Sequence, residues 1–306
     1  MTTMNRLAVP RRRRSFTPYA LLVPSVVVLV LALGYPLVWQ LITSLQQFGL
    51  SQQFGQPAPF VGLGNYIRLA TDPYLWTVVG RSLIFCFACA ATTMAIGTLL
   101  ALLMRAIPNA VRIMLQIALL LAWAMPVVAA MTVWTWLFDW RRGVVNWLLS
   151  ALGLPFQQHN WLANPLSFFM VAGLIVVWMS VPFVAFSIYA GLTQVPEDVL
   201  EAAQVDGASP SQRFWRITVP IIRPVISIVL LLQVIWDLRV FTQIKVLQDS
   251  GSIASETNLL GTYIYQLGAG SSDFGTASAV SIFVLILTIA LSWAYVRTML
   301  KEDKYE

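Results

Sequence analysis

Six apolar runs set what this chain can become, because each is close to or longer than the roughly 20 residues that carry a helix across hydrocarbon. They cover residues 18–45, about 79–104, 113–138, 166–190, 221–243 and 275–297. Inside a bilayer the backbone must satisfy its own hydrogen bonds, and a run of this length does so as a helix. The expected fold class is an all-α membrane protein with six transmembrane helices. Composition agrees, with 58% hydrophobic and only 10% charged residues, against about a quarter charged in soluble domains. The net charge of +6 does not mark a nucleic-acid binder, since the basic residues cluster at the ends of the runs and form no stripe. A lipid bilayer is the expected partner, and no nucleic acid.

The segments between the runs divide the chain. Residues 1–17 form a basic N-terminal segment. The run beginning at Tyr19 is too long for the core of a signal peptide and no small-residue cleavage site follows, so it reads as a retained first span, bent near Gly34 and Pro36. Residues 46–78 form a polar connector, and 139–165, with Trp140, Trp147 and Trp161, an interfacial hairpin. Residues 79–297 form a core of five spans interrupted by a polar loop at 193–224, and 298–306 are a short tail. With the N-terminus inside, thirteen Lys and Arg fall on inner segments and six on outer ones. The asymmetry predicts both termini and the loop at 193–224 in the cytoplasm. Arg141 and Arg142 fit it least, being outer and only partly balanced by Asp139.

Little here supports covalent chemistry. Cys86 and Cys89 are a C-x-x-C inside the second run, where nothing stabilises a thiolate, so both read as small packing residues. His159 is the only histidine, which rules out a His-based metal cluster or a Ser-His-Asp triad. No Gly-x4-Gly-Lys-Ser/Thr occurs, so this chain has no P-loop for ATP. Gly62 and Gly64 lack the third glycine and the lysine of a phosphate loop. No enzyme, no metal and no cofactor bound by the chain itself is the expectation. Gly97 and Ala101 have the small-xxx-small spacing of close helix contacts, and Pro126 and Pro182 are expected to interrupt the third and fourth spans.

The fifth run differs. Gln233, Trp236, Asp237, Arg239 and Gln243 lie in one apolar stretch, with Gln233 and Asp237 as one i, i+4 pair and Arg239 and Gln243 as another. Asp237 falls about 22 Å along a helix counted from Ile222, past the middle of the hydrocarbon. Ionisable groups at that depth face a cavity or a partner. Two readings stand open: the residues line a solute pathway, or Asp237 and Arg239 are a structural pair.

The loop has its own grammar. Pro196 suits a first helical position, with Glu197 and Asp198 in the first turn where the dipole favours negative charge. Gly207 can take the positive φ that ends a helix. Ser209-Pro210-Ser211-Gln212 restarts one, with Ser209 as N-cap and Gln212 at the capping-box position. Two short helices with a turn between them are expected on a membrane surface. These residues, Glu201, Ala202, Ala203, Asp206, Gly207, Ala208, Phe214, Ile217, Pro220 and Pro224, resemble the EAA loop of ABC-importer permeases, roughly EAA-x2-DGA-x5-F-x2-I-x-LP-x3-P, with Val219 in place of the usual Leu. Phe60-Val61-Gly62-Leu63-Gly64-Asn65-Tyr66 resembles the FVGL-x-NY of sugar-type permeases, Tyr263 and Tyr265 match their Y-x-Y, and Phe274-Gly275-x-Ala277-x-Ala279 their FG-x-A-x-A. Leu247 to Gly251 resembles a degraded LT-x-GGP loop.

The resemblance spans about residues 19–297. It implies the type I ABC importer permease fold and one of two permease subunits in a bacterial cytoplasmic membrane, paired as a heterodimer with a companion permease. It further implies two ATPase subunits, which use ATP and Mg, an extracytoplasmic solute-binding protein, and a carbohydrate or glycerol-phosphate-like substrate. Glu201, Ala202, Ala203, Asp206, Gly207, Ala208 and Phe214 would then meet the ATPase, and Gln233, Trp236, Asp237, Arg239, Gln243 and Tyr263 would line the pathway. Two alternatives stay open, an ABC permease for a non-sugar solute and an ion-coupled secondary transporter resting on Asp237 alone.

Overall fold

The computed structural model describes residues 17–302. The basic stretch before Thr17 and residues 303–306 of the tail lie outside them. The described residues are helical apart from turns and one antiparallel bridge, Gln46 to Phe60. Among the described residues five helices are long and apolar enough to cross a membrane, or six when one bent pair is counted as a span.

The first span runs through Thr17–Leu29, a π-turn at Val30–Gly34, and Tyr35–Ser44. The expected bend near Gly34 and Pro36 thus takes the form of one widened turn. From Leu21 on its apolar side chains stay exposed, until Thr43 and Ser44 become buried. That surface requires lipid or another subunit.

The second span is Pro73–Ala106. It begins at Pro73 and not near residue 79, because Asp72 caps it, its Oδ1 accepting the Tyr74 N–H at 2.9 Å with Pro73 at the first position. At about 1.5 Å per residue it exceeds the hydrocarbon core, so its polar first turns lie outside the apolar run by which the sequence is read.

The third span is not the single interrupted helix expected over 113–138. Asn109–Ala124 and Val127–Leu137 meet at 98°. Pro126 donates no N–H and drives Met125 into extended backbone (ψ 127°). Pro182, expected to interrupt the fourth span, does not: Pro165–Leu192 is continuous, with Pro182 buried among Val181, Val184 and Ala185. The two prolines are alike in sequence and differ in what encloses them.

The fifth span, Val219–Leu238, stops at Arg239 and resumes as Thr242–Asp249. The sixth is Phe274–Glu302. The core lies where the second span packs on the fourth and fifth. A Cβ added to Gly97 would stand 2.5 Å from Val184 Cγ1, and Ala101 is wholly buried, so the small-residue spacing does bring these helices together. Cys86 and Cys89 are free and buried, and the Cys86 thiol donates to the Val234 carbonyl at 3.4 Å.

The short motifs of the connector and sixth span meet in space. Asn65 Nδ2 donates to the carbonyls of Ser44 and Gln46, both at 2.9 Å, and Ser44 Oγ shares a hydrogen with Tyr66 OH at 2.7 Å. Gly275 donates its N–H to Phe48 at 2.9 Å, and a Cβ there would lie 2.5 Å from the Gln46 carbonyl. Asn65, Tyr66 and Gly275 therefore lock the end of the first span to the start of the sixth. Their role is structural.

Candidate functional site

Between the fourth and fifth spans the chain forms the two short helices that the loop's punctuation predicts. The first is Glu197–Val205, with Glu197 and Asp198 in its first turn and Pro196 one place earlier than expected, as N-cap. It ends in a Schellman turn. Gly207 has φ +80°, Ala208 N donates to Ala203 O at 2.9 Å, and Gly207 N to Gln204 O at 3.0 Å. Ser209 then caps Pro210–Arg213 with a reciprocal box, its N–H on Gln212 Oε1 at 2.8 Å and its Oγ accepting from Gln212 N at 3.3 Å. Arg213 Nη1 reaches back to Gln204 Oε1 at 2.8 Å and ties the two helices together.

This element hangs from the bundle by a few apolar contacts. Val195 is buried, and Leu200 packs with Val195, Ile188 and Ile222. Glu201, Ala202, Asp206 and Gly207 are exposed, while Ala203, Ala208 and Phe214 are half-buried. Phe214 meets Trp215 edge to face at 5.0 Å. Val205 stands 88% exposed at the tip. A carboxylate, a protruding valine and a stiff turn on one polar knob form a surface for another protein.

The six pathway candidates separate. Gln233 and Asp237 are buried, at 0% and 3% exposure, with Gln233 Nε2 donating to Asp237 Oδ1 at 2.9 Å. They belong to the interior beside the second span, where Cys86 bonds the neighbouring Val234 carbonyl. Among the described residues Gln233 Oε1 and Asp237 Oδ2 have no hydrogen-bond partner. Asp237 and Arg239 are not a pair. Arg239 lies exposed in the turn after the helix, with no ion pair among the described residues. Arg239 and Gln243 do not share a helix face either, because the break after Leu238 puts Gln243 on the next helix. Tyr263 lies among other partners: its hydroxyl donates to Asp72 Oδ2 at 3.3 Å and its ring meets Tyr74 at 5.3 Å. Burial, and then the Asp72 carboxylate, push its phenol up to about 12, so it remains a donor.

Trp236 and Gln243 come together on one face through the fourth span. Trp236 packs on Phe183 at 4.9 Å, Phe183 on Trp123 of the third span at 6.3 Å, and Gln243 Nε2 reaches Met179 Sδ at 3.7 Å. Met179 and Phe183 are one helical turn apart. Trp236 and Trp123 are about half exposed. Sequence reading singled out none of Trp123, Met179 and Phe183, since apolar side chains in apolar runs carry no local mark that separates a lining from a lipid-facing or packed residue. Among the described residues no three His, Cys, Asp or Glu side chains are grouped to hold a metal.

These features agree with comparisons to known proteins. Residues 93–297 match the family described as binding-protein-dependent transport system inner membrane component. The chain is 36% identical over 302 residues to the diacetylchitobiose uptake system permease protein of Streptomyces coelicolor, covering 98% of this chain and 92% of that one. It is 32% identical over 281 residues to the trehalose/maltose transport system permease protein of Thermococcus litoralis, covering 91% and 92%. Among solved structures, a bacterial ABC transporter involved in the import of the acidic polysaccharide alginate superposes with a TM-score of 0.79 at 23% identity, over 94% of this chain and 96% of that one. The chain belongs to the binding-protein-dependent transport permease family. It has the type I ABC importer permease fold, and it is a multi-pass inner-membrane transport subunit and not an enzyme.

Proposed function

We propose that this chain is one of two permease subunits that carry a carbohydrate into a bacterial cytoplasm, driven by ATPases that dock on the knob formed by Glu197 to Thr218. The observation that carries this reading is the knob itself: exposed, capped at both helices, and held to the bundle at Leu200 and through the fifth span. A displacement of the knob passes into Val219–Leu238 without a flexible joint, since the π-turn Phe214–Thr218 runs directly into that helix. Glu201 is placed to hold a basic group of the ATPase by a charge-assisted hydrogen bond. ATP and Mg belong to that partner, as no P-loop is present here. A companion permease forms the other half of the pathway, a binding protein delivers the solute, and the excess of Lys and Arg on the inner segments supports both termini being on the knob's side.

The carbohydrate reading rests on the relatives named above and on the face formed by Trp123, Phe183, Trp236 and Gln243. Aromatic rings stack on the apolar faces of sugars, and an amide serves their hydroxyls. Gln233 and Asp237 are left out of the pathway and serve the interior. The test is reconstitution with the co-purifying ATPase, companion permease and binding protein in liposomes. ATP-dependent uptake of an oligosaccharide, with KM raised by Trp236→Ala while hydrolysis in the absence of substrate is unchanged, is the expected outcome. Transport by the solubilised chain alone without ATP would sink it.

A further inference from the structure

The two arginines that fit the charge asymmetry least share one turn with a single carboxylate, Asp139. Arg141 and Arg142 occupy the turn before the short helix Val144–Ala151, next to the Pro165 end of the fourth span, and the knob hangs from the other end about 42 Å away. Asp139 Oδ1 accepts the backbone N–H groups of Arg141 (3.0 Å) and Arg142 (2.7 Å). It shapes the turn, and among the described residues neither guanidinium has an ion-pair partner. Both side chains are exposed. Arg141 lies over the Trp140 ring, 4.4 Å from its centre, which holds its guanidinium in place.

Beside them opens a cavity of about 740 Å³, lined by both arginines with Trp140, Trp147, Ser150 and Gln158 among others, and by no acidic residue. Ser150 Oγ is closed off from solvent and has no hydrogen-bond partner among the described residues. Part of the lining is apolar and exposed, Trp147 at 69% and Val144 at 36%. Two cations over a donor-lined cavity, next to an exposed aromatic and aliphatic edge, form the arrangement of a segment lying at a bilayer surface. The geometry points to this cavity as a binding site for the phosphodiester headgroup of an anionic phospholipid. The guanidiniums take the phosphate oxygens, and Val144 and Trp147 meet the acyl chains. An acidic protein surface would satisfy the arginines but leave the apolar edge in water, so lipid is the occupant the surroundings favour.

The experiment uses the full chain with whatever subunits co-purify, in nanodiscs of equal phosphatidylglycerol and phosphatidylcholine, with retained lipid counted by native mass spectrometry. Phosphatidylglycerol is expected to be retained preferentially, the preference falling about fivefold for each arginine removed and roughly 30-fold in Arg141→Gln/Arg142→Gln. Arg141→Lys/Arg142→Lys should keep most of it. If the double glutamine variant does not accumulate, each single variant carries the test with its fivefold loss. Equal retention of the two lipids, or an unchanged preference in the glutamine variants, overturns the proposal. Displacement of the lipid by inorganic phosphate would identify a site for free anions instead. Loss of binding-protein stimulation with lipid preference intact would identify a protein-docking surface, and it too would overturn the lipid assignment.

Discussion

Between Glu197 and Thr218 the side-chain bonds that shape the chain join residues nine or fewer apart. Around the far ends of the second and fifth spans they join residues more than a hundred apart. Ser82 Oγ accepts the Leu260 N–H at 2.9 Å, Tyr74 OH donates to Ser255 O at 2.9 Å, and Arg81 Nη1 to Asn258 O at 3.1 Å. The knob builds its own shape and leaves its side chains outward, whereas the bundle derives its shape from contacts that exist only once it is assembled. Substitutions in the first region should change what the protein does with its partners. Substitutions in the second should decide whether there is a protein at all.

Glycines offer the widest contrast. Gly97→Leu and Gly275→Leu place a Cβ within 2.5 Å of Val184 Cγ1 and of the Gln46 carbonyl, respectively, and such overpacking costs typically 1–3 kcal/mol or more. Monodisperse protein on fluorescence-detected size exclusion should fall by about tenfold for each. Gly207→Leu adds a Cβ that meets nothing within 4 Å among the described residues, and its main cost is the φ of +80°, about 1 kcal/mol. It should accumulate normally yet lose the link between hydrolysis and uptake. Equal yields for all three variants would erase the distinction between the two regions.

The buried amide and carboxylate give the next largest effect. Asp237→Leu leaves the Gln233 side chain buried with no partner, at a cost of about 1–3 kcal/mol, and the double change Gln233→Leu/Asp237→Leu removes both polar groups and should recover most of it. Thermal unfolding in detergent reads both. If the single variant is as stable as the parent but transports with altered selectivity, the pair faces the pathway after all. Glu201→Ala is the counterpart in the knob. Its melting temperature should match the parent, while ATPase stimulation by the assembled complex drops by about tenfold, the loss expected for one charge-assisted bond. Unchanged stimulation would remove Glu201 from the docking surface.

How much of this was legible beforehand follows the same division. Ser209, Gln212 and Gly207 announce their conformations by residue type, because caps and positive-φ turns are decided by groups a few positions away. The apolar runs announce helices for the same reason. Pro126 and Pro182 show where legibility ends: the same residue turns the chain by 98° in one span and leaves the other continuous, according to neighbours from distant segments. The i, i+4 arithmetic on the fifth run placed Gln233 with Asp237 correctly. It failed for Arg239 and Gln243, since nothing local signals the stop after Leu238. Which face of that helix turns inward was equally hidden, as the choice depends on where the second span lies.

The smallest expected effect tests whether the knob's order is as local as its bonds imply. Ser209→Ala removes one acceptor, the Oγ that receives the Gln212 N–H, and leaves the return bond from Ser209 N to Gln212 Oε1 in place. N-cap losses of this kind cost about 1 kcal/mol. Because Pro210–Arg213 is a single turn continuing into Phe214–Thr218, that cost should fall on the turn and not on the bundle. Amide exchange within 210–213 should therefore rise by about fivefold, with no change in the protection of Val219–Leu238 and none in the melting temperature. Increased exchange spreading into the fifth span would mean that the cap helps to hold the bundle together, and the knob would then be a part of the core and not an appendage to it.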